Sequence, residues 1–559
     1  MSLPPFSHLV VVETQRTKRY LFASPYMRET RGASFLLDRL NRQHTRTLLH
    51  TLGRPEHDFD VVYLGGGSGR VLFRSAELAN EFRDGLLRLY RKETVAAQVA
   101  VAVVERRDGE SFADWVYRGV ALTQSRKLAG TKASPVFWGR WIMPCTSCGR
   151  APAERMLTEH GEHRLCAACW FKREEIRETL YPDIKPNERG DHPLSSVEAL
   201  RRRYSDEFVY TTLAEHCRSL GADLVFLPQD FDDIGDCSKP TNYMGFIYAD
   251  GNRMGEIVKG LGSLSAHDGA VKHAYGVFSD ITDRATREAA VEAVIEHVKL
   301  RKQRDEWTLP AEFILAGGDD LILAVPADAA LPVACTFLDK FQEKTREFQC
   351  QRRYGLDKPF APQGLTTSAG VVLAHVAYPA SALMDLTADL MKMAKHKVAS
   401  LDLPMGTIDF AVLTEATSES MKQRRNDEYV IEHSPRLLTE RTERPYTACA
   451  LKDLLASVAE LKQSGVPRSK IKGLYPHLFE SIWQAQYHGQ RMKERLAFTG
   501  DLDRSPALKA LTESTCFPFQ PHRTHWRHQR LVWTTPLVDI IELYDFVHPP
   551  VSLPGTANA

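Results

Sequence analysis

Two adjacent aspartates follow a pair of glycines inside an apolar stretch, AGGDDLILAV. Gly317 and Gly318 allow the backbone to turn tightly and let a large ligand approach it. Asp319 and Asp320 would then lie at a hairpin tip, where two unit charges ~4 Å apart repel by about 4 kcal/mol at an effective dielectric constant near 20. A divalent cation bound between the two carboxylates would replace this repulsion by a net attraction, so the motif predicts a metal site. The alternative is an ordinary surface turn, because glycine and aspartate are common turn residues.

A third acidic residue ends an apolar run upstream of this motif. The sequence YMGFIYADGNRMG places Asp250 at the carboxyl end of a predicted strand, followed directly by Gly251. If this strand neighbours the hairpin, three carboxylates meet at one sheet edge, as two-metal phosphoryl transfer requires. Strand alternation points Asp319 and Asp320 to opposite faces. We therefore expect Asp250 and Asp319 to be the main Mg²⁺ ligands, and Asp320 a second ligand or a proton acceptor.

Lysines that could bind phosphate follow on a predicted helix. Lys392 and Lys395 lie one turn apart, with Lys397 nearby, and could hold a triphosphate. A solvent-exposed helix face is the alternative. A second basic group lies near the N-terminus and consists of Lys18, Arg19, Arg28 and Arg31. It could contact RNA or a nucleotide, or it could form a solvent-exposed face.

Four cysteines have the spacing of a metal site. Cys145 and Cys148 are separated by two residues, as are Cys166 and Cys169. This pattern predicts a closed tetrahedral zinc site with a structural role, since four thiolates leave no open position for catalysis.

The elements that must position these residues occur twice in the sequence. Each copy has the order strand, helix, hairpin, helix, strand, which is typical of a ferredoxin-like palm. The hairpin tip of the first copy, GGGSG, has no acidic residue, and Glu13 is the one acidic candidate at the end of its first strand. The first copy could therefore bind a nucleotide at its glycines without assembling a two-metal centre.

We predict an α+β fold with two palms, a zinc-binding segment of paired cysteines and a helical C-terminal domain. The expected units are a degenerate palm (1–140), a zinc-binding and helical linker domain (141–240), a catalytic palm (241–415), a helical domain (416–550) and a disordered tail (551–559).

Composition is that of a globular protein, with 43% hydrophobic and 26% charged residues in a chain of 559. The formal net charge of +1 excludes a global field that would draw the chain to nucleic acid or membranes. No apolar stretch is long enough to span a membrane, and the N-terminus lacks the pattern of a signal peptide, so we expect a cytoplasmic protein.

Taken together, these motifs resemble the large polymerase/cyclase subunit of type III CRISPR effector complexes. SPYMRETRGASFLLDRLN is similar to the first-palm signature of that family, and GGGSG to its degenerate hairpin tip. LPQDFDDIG, YADGNRMG, AGGDD, SAGVVLAH and AKHK are similar to its second palm, and RPYTACALKDLLASVAELKQSGVPRSKI to its C-terminal helical domain. The paired cysteines match its zinc segment.

The resemblance implies a nucleotidyltransferase that converts ATP into cyclic oligoadenylates for antiviral defence, with two Mg²⁺ or Mn²⁺ ions and a structural Zn²⁺. Asp250, Asp319 and Asp320 would be catalytic and hold the metals. The implied partners are guide RNA, target RNA, and small helical and backbone subunits. The residues assigned to nucleotide binding are Gly251, Asn252, Gly255, Gly317, Gly318, Lys392, Lys395, Gly66, Gly67 and Ser68.

Two departures from the family pattern carry expectations of their own. Many members begin with an HD nuclease domain, whereas this sequence begins at the first palm, so we expect no DNA cleavage. Glu13-Thr14-Gln15 stands where an Asp-led motif is more usual.

Two alternative functions stay open: a catalytically silent RNA-binding scaffold subunit, and a stand-alone nucleotide cyclase of another defence system. The sequence does not predict ring size or nucleotide preference.

Overall fold

The computed structural model describes most of the chain. The described residues are 5–129, 142–157, 162–180, 197, 201, 208–222, 225–265, 267–303, 306–415, 420–434, 437–463, 468–498, 525–527 and 530–548. The predicted tail, 551–559, lies outside them. In the part of the chain that the structure describes, no helix is both long and apolar enough to cross a membrane.

The first palm has the predicted order of strand, helix, hairpin, helix and strand. Its elements are β1 (His8–Gln15), α1 (Thr17–Leu21), α2 (Met27–Arg39), a π-helix (Leu40–His44), α3 (Thr45–Leu52), β2 (Phe59–Gly65), β3 (Ser68–Phe73), α4 (Ala76–Thr94), β4 (Gln98–Glu105) and α5 (Phe112–Ala129). The sheet order is β2-β3-β1-β4, and β1 is antiparallel to both neighbours. The continuous apolar run at 9–12 forms the inner strand because it is buried on both faces.

The cysteine segment and the linker follow. Their elements are β5 (Arg155–Leu157), β6 (His163–Leu165), α6 (Ala167–Leu180), α7 (Phe208–Ser219), β7 (Val225–Phe226) and α8 (Phe231–Asp236). β5 and β6 form a small antiparallel hairpin between the two cysteine pairs. The side chain of Asp230 caps α8 by accepting a hydrogen bond from the backbone N–H of Asp233.

The second palm repeats the order of the first and adds strands to it. Its elements are β8 (Tyr243–Gly251), α9 (Met254–Leu261), α10 (Asp268–His297), β9 (Arg301–Gln303), β10 (Glu306–Thr308), β11 (Glu312–Gly317), β12 (Asp320–Pro326), α11 (Ala327–Gln349), a 3₁₀ turn (Arg352–Tyr354), β13 (Thr367–His375), α12 (Ala380–Leu401) and β14 (Thr407–Val412). β8 lies between β12 and β13, so the strand that ends in Asp250 neighbours the GGDD hairpin.

The C-terminal region contains helices and a sheet. Its elements are α13 (Met421–Tyr429), β15 (Val430–Ser434), β16 (Leu437–Glu440), β17 (Tyr446–Thr447), α14 (Ala448–Gln463), α15 (Arg468–Lys472), α16 (Tyr475–Glu480), α17 (Ile482–Phe498), β18 (His525–Arg527), β19 (Arg530–Thr534) and α18 (Leu537–Leu543). The helices follow the predicted apolar pattern. The four-stranded sheet β15-β16-β19-β18 was not predicted, because its strands are short and far apart in sequence.

Hydrophobic clusters on both faces of the first sheet join the two palms. One contains Val10 and Phe73 from the first sheet together with Phe246 and Tyr248 from the second, and the other packs the opposite face of the first sheet against α10. The opposite face of the second sheet packs against α10 and α11 in another cluster, which includes Ile247 and Leu323. The predicted α+β class with two palms is confirmed, and the two hairpin tips lie next to each other.

Candidate active site

The GGDD motif forms a two-residue turn between β11 and β12. Gly317 pairs with Asp320 across the hairpin, so Gly318 and Asp319 are the turn residues. Gly318 has a φ of 61°, in the left-handed region that glycine adopts at little cost. Asp319 belongs to the turn and not to a strand, so strand alternation does not by itself fix the direction of its side chain relative to that of Asp320.

The register of the sheet brings Asp320 opposite Asp250. Leu321 pairs with Ala249 in antiparallel β12 and β8, and continuing the register by one residue aligns the two aspartates. Directly opposed residues share a face and have Cβ atoms about 4.5–5.5 Å apart. Asp319 lies against the same strand end, since a Cβ added at Gly251 would be 3.0 Å from the Cβ of Asp319. The structure thus brings the three predicted carboxylates to one sheet edge.

The electrostatics of these carboxyls reflect burial and mutual repulsion. Burial, with the charges of Asp250 and Asp320 added to it, raises the pKa of Asp319 to about 7. Burial and Asp250 raise the pKa of Asp320 to about 6, against the opposing charge of Lys18 and a 2.9 Å hydrogen bond from the Tyr248 hydroxyl. A nearby cation would stabilise the ionised form of these buried, mutually repelling carboxyl groups. Oxygen donors are also the ligands that Mg²⁺ and Mn²⁺ prefer.

One predicted lysine reaches this group and two do not. The Nζ of Lys395 lies 2.6 Å from Asp250 Oδ2 and 2.6 Å from the Gly251 carbonyl oxygen. Lys392 is exposed and donates to Asp389 at 3.2 Å. Lys397 donates to backbone carbonyls at residues 443 and 445, in the C-terminal region. Three lysines close in sequence therefore have three different surroundings.

The remaining predicted nucleotide contacts fall at different places. Asn252 is buried, donates to Thr366 Oγ1 at 3.0 Å and accepts from the Ser368 hydroxyl at 2.9 Å, so its amide secures the chain after β8. Gly255 is the second residue of α9 and has no neighbour that a Cβ would meet. Ser68 begins β3 and pairs with Gly65.

The glycine tip of the first palm faces the GGDD turn. A Cβ added at Gly66 would lie 3.0 Å from the Cα of Gly318, so the two tips are in van der Waals contact. Glu13, the acidic candidate of the first palm, is held by Lys127 and by Arg70 at 3.6 Å. Two basic side chains of the first palm therefore surround this carboxylate, and no second acidic side chain accompanies it at the glycine tip of residues 65–69.

An open cleft runs between the two tips. Its empty volume is about 970 Å³, counting the space at its mouth. Residues of both palms line it, among them Thr14, Lys18, Asn41 and Gly66 from the first and Gly317 and Asp320 from the second. The sequence assigned Lys18 to an undifferentiated basic patch; in the structure its Nζ lies 3.7 Å from the centroid of the Tyr248 ring. Arg19, its neighbour, is exposed.

Helix α10 holds the GGDD turn from behind. Asp283 Oδ1 accepts the backbone N–H of Gly318 at 2.9 Å, and Thr286 Oγ1 donates to the Gly318 carbonyl at 2.6 Å. Burial raises the pKa of Asp283, against the opposing charge of Arg42 on the π-helix. Sequence analysis missed these residues, because an aspartate and a threonine on a long helix carry no distinguishing local pattern.

The four cysteines form the predicted cluster. Their sulfur atoms all lie within 4.8 Å of one another, and those of Cys148 and Cys166 are 3.8 Å apart. A tetrahedral site with Zn–S bonds of about 2.3 Å requires sulfurs about 3.8 Å apart. The cluster could therefore hold zinc. Among the described residues no other group of three or more potential ligands is this compact, so the three aspartates are spaced more widely.

Comparisons with known proteins place this geometry in a family. Residues 243–400 match the family model described as Cas10/Cmr2, second palm domain. The region with the GGDD turn is thus similar to the second palm of that family, and over these residues the match confirms the resemblance inferred from the motifs.

Solved structures show the same fold. Csm1–Csm4 cassettes crystallised with pppApA and with cA3 match over 97% of this chain, at 12% identity and TM-scores of 0.54 and 0.53; 69% and 70% of those chains are covered. Csm1 in T. onnurineus matches over 96% of this chain and 70% of its own, at 14% identity and a TM-score of 0.51. The chain spans 58% to 70% of the length of these and other solved chains. No curated protein matches it.

Proposed function

We propose that this chain is a nucleotidyltransferase that makes cyclic oligoadenylates from ATP, as the large subunit of a type III CRISPR complex. The observation that carries the proposal is the gathering of Asp250, Asp319 and Asp320 at the tip of a glycine hairpin that meets a second glycine tip. Solved relatives crystallised with pppApA and cA3 support an oligoadenylate product. Their pairing with Csm4 supports a partner subunit for this chain.

The residues present fit two divalent cations. Three carboxylates and the Gly251 carbonyl offer oxygen donors, and the raised pKa values of Asp319 and Asp320 mark acidic groups that a cation would stabilise. When bound, such ions neutralise charge on the attacking and leaving oxygens. We assign Asp250, Asp319 and Asp320 to hold them, with Asp320 alternatively accepting a proton. We also assign structural Zn²⁺ to Cys145, Cys148, Cys166 and Cys169.

The reaction is an in-line displacement between two nucleotides in the cleft. The 3′-oxygen of one ATP bonds to the α-phosphorus of the other, the bond to the β-phosphate oxygen breaks, and pyrophosphate leaves while the hydroxyl proton is released. Repetition lengthens the chain and closure makes the ring. Positioning and charge neutralisation supply most of such a rate enhancement. Gly317, Gly318, Gly66 and Gly67 leave room for the nucleotides, and Lys395 is placed to take a phosphate.

The proposal extends to partners in the same complex. We expect guide RNA and target RNA to bind there, together with small helical and backbone subunits. The formal net charge of +1 means that RNA contacts must come from local patches of this chain or from other subunits.

The test compares ATP conversion by two variants. The full chain, alone and with its complex and target RNA, is incubated with labelled ATP and Mg²⁺ or Mn²⁺, and products are identified by mass spectrometry. Asp319→Ala/Asp320→Ala should lower the rate by about 10²-fold or more, because charge stabilisation at the reacting phosphate is lost. Asp453→Ala, an exposed residue of α14, is the matched control.

Three outcomes would overturn the assignment. Equal product from wild type and the double variant would place catalysis elsewhere. Absence of product from wild type with target RNA present would favour the scaffold function, and a cyclic product other than oligoadenylate would favour the stand-alone cyclase.

A further inference from the structure

Lys18 belongs to the first palm but lies beside the acidic residues of the second. It is on α1, and its Nζ lies 3.7 Å from the Tyr248 ring centroid. The Tyr248 hydroxyl in turn donates to Asp320 Oδ1 at 2.9 Å. Lys18 and Asp320 also line the same cleft. An ammonium group of one palm is therefore held next to the carboxylates of the other.

The contacts of Lys18 leave its ammonium available to a ligand. Among the residues that the structure describes, it forms no ion pair with a carboxylate, unlike Lys395, which is paired with Asp250. The aromatic face of Tyr248 stabilises the positive charge without using its N–H donors. Burial lowers the pKa of Lys18, and the neighbouring positive charges of Lys392 and Lys395 lower it further. The negative charges of Asp320 and Asp250 act in the opposite direction and raise this pKa.

The balance of charges between metal ions, triphosphate and side chains indicates a role for the Lys18 ammonium group. Two divalent ions and a fully ionised triphosphate cancel, which leaves the three aspartates to be compensated. Lys395 supplies one positive charge, at Asp250, and Lys18 supplies another from the first palm, whereas Lys392 is exposed and paired with Asp389. The charges of both Lys392 and Lys395 influence Lys18. A partly buried site favours such compensation, because uncompensated charge is costly away from water.

We propose that Lys18 is a substrate-binding residue that the first palm contributes to the second palm's site, where its ammonium contacts phosphate oxygens of the bound triphosphate. This inference rests on the proposed function of the site. It makes the site composite: Asp250, Asp319 and Asp320 gather on one palm, and a phosphate contact comes from the other. A separated second palm would then bind triphosphate more weakly than the full chain.

The test measures binding with inorganic tripolyphosphate and Mg²⁺, by calorimetry on the full chain. Lys18→Gln should weaken binding about 10- to 100-fold, the range for losing a charge-assisted hydrogen bond. Lys18→Arg should retain most of the affinity, because the cation is kept. Arg19→Gln is the matched control, since it removes an exposed cation from the adjacent residue and should leave affinity unchanged. Adenosine binding should be the same in all variants.

Three outcomes separate this inference from the alternatives. Unchanged tripolyphosphate affinity in Lys18→Gln would overturn it, even if wild type makes oligoadenylate and the proposed function stands. Equal loss of tripolyphosphate and adenosine affinity would overturn it too, since it would indicate a structural role. A selective loss of tripolyphosphate affinity in a protein that makes no product would support the phosphate contact while overturning the cyclase function.

Discussion

Thr286 and Asp283 are the side chains that fix the position of the GGDD turn. Gly318 is bonded through both its N–H and its carbonyl to α10, at 2.9 and 2.6 Å. A glycine turn has many accessible conformations, so these two bonds select the one that presents Asp319 and Asp320 to Asp250. The three aspartates proposed to bind metal thus depend for their position on side chains of α10 that are not proposed to bind it.

Thr286→Val tests this dependence. The substitution keeps side-chain shape but removes the donor to the Gly318 carbonyl, so we expect a loss of about 1–2 kcal/mol in unfolding free energy and a several-fold slower ATP conversion. Thr282→Val is the control on the same helix, because among the described residues the Thr282 hydroxyl donates to the Phe278 carbonyl one turn back and not to the GGDD turn. Urea unfolding and product formation are the measurements. Indistinguishable variants would mean that the turn is held by other contacts.

At the level of elements, the contact between the β2–β3 tip and the β11–β12 tip sets the geometry of the cleft. Gly66→Ala places a Cβ 3.0 Å from the Gly318 Cα, closer than carbon atoms normally pack, so the tips must separate. Gly67→Ala also introduces a side chain at a left-handed φ, but the nearest described neighbour of its Cβ is the Thr14 side chain at 3.5 Å. We expect Gly66→Ala to slow ATP conversion about 10-fold more than Gly67→Ala, because reacting groups tolerate little displacement. Equal rates would show that tip contact is unimportant.

Much at this scale could be predicted from the sequence. The strand ending in Asp250, the GGDD hairpin and the lysine helix were predicted because each has a local signal: an apolar run, a glycine turn or helical spacing. The placement of Lys18 could not be, since it depends on how two palms dock. The π-helix Leu40–His44, which carries Asn41 to the cleft, also lacks a sequence signature. Local patterns specify elements, whereas contacts between domains depend on the whole fold.

Across the whole molecule, α2 connects the cysteine segment to both palms. Glu29 on α2 accepts hydrogen bonds from Ser147, between the first two cysteines, and from Arg173 on α6, at 3.0 and 2.8 Å. Two residues further along the same helix, Arg31 donates to Glu312 at the start of β11 at 2.9 Å. The cysteine segment therefore contacts the helix that joins the first palm to the GGDD hairpin.

The buried Arg31–Glu312 pair should contribute strongly to the docking of the palms. Both side chains are 4% exposed, and Arg31 also donates to the Pro228 carbonyl at 2.8 Å. Arg31→Met leaves Glu312 as an uncompensated buried charge, which costs about 3–5 kcal/mol, and Arg31→Met/Glu312→Met should recover much of that loss. Lys452→Met, which breaks an exposed pair with Asp339 at 2.7 Å, should change unfolding free energy by at most about 1 kcal/mol. Urea unfolding of the four proteins measures these differences. If Arg31→Met were no more destabilising than Lys452→Met, this buried pair would contribute little to the docking of the palms.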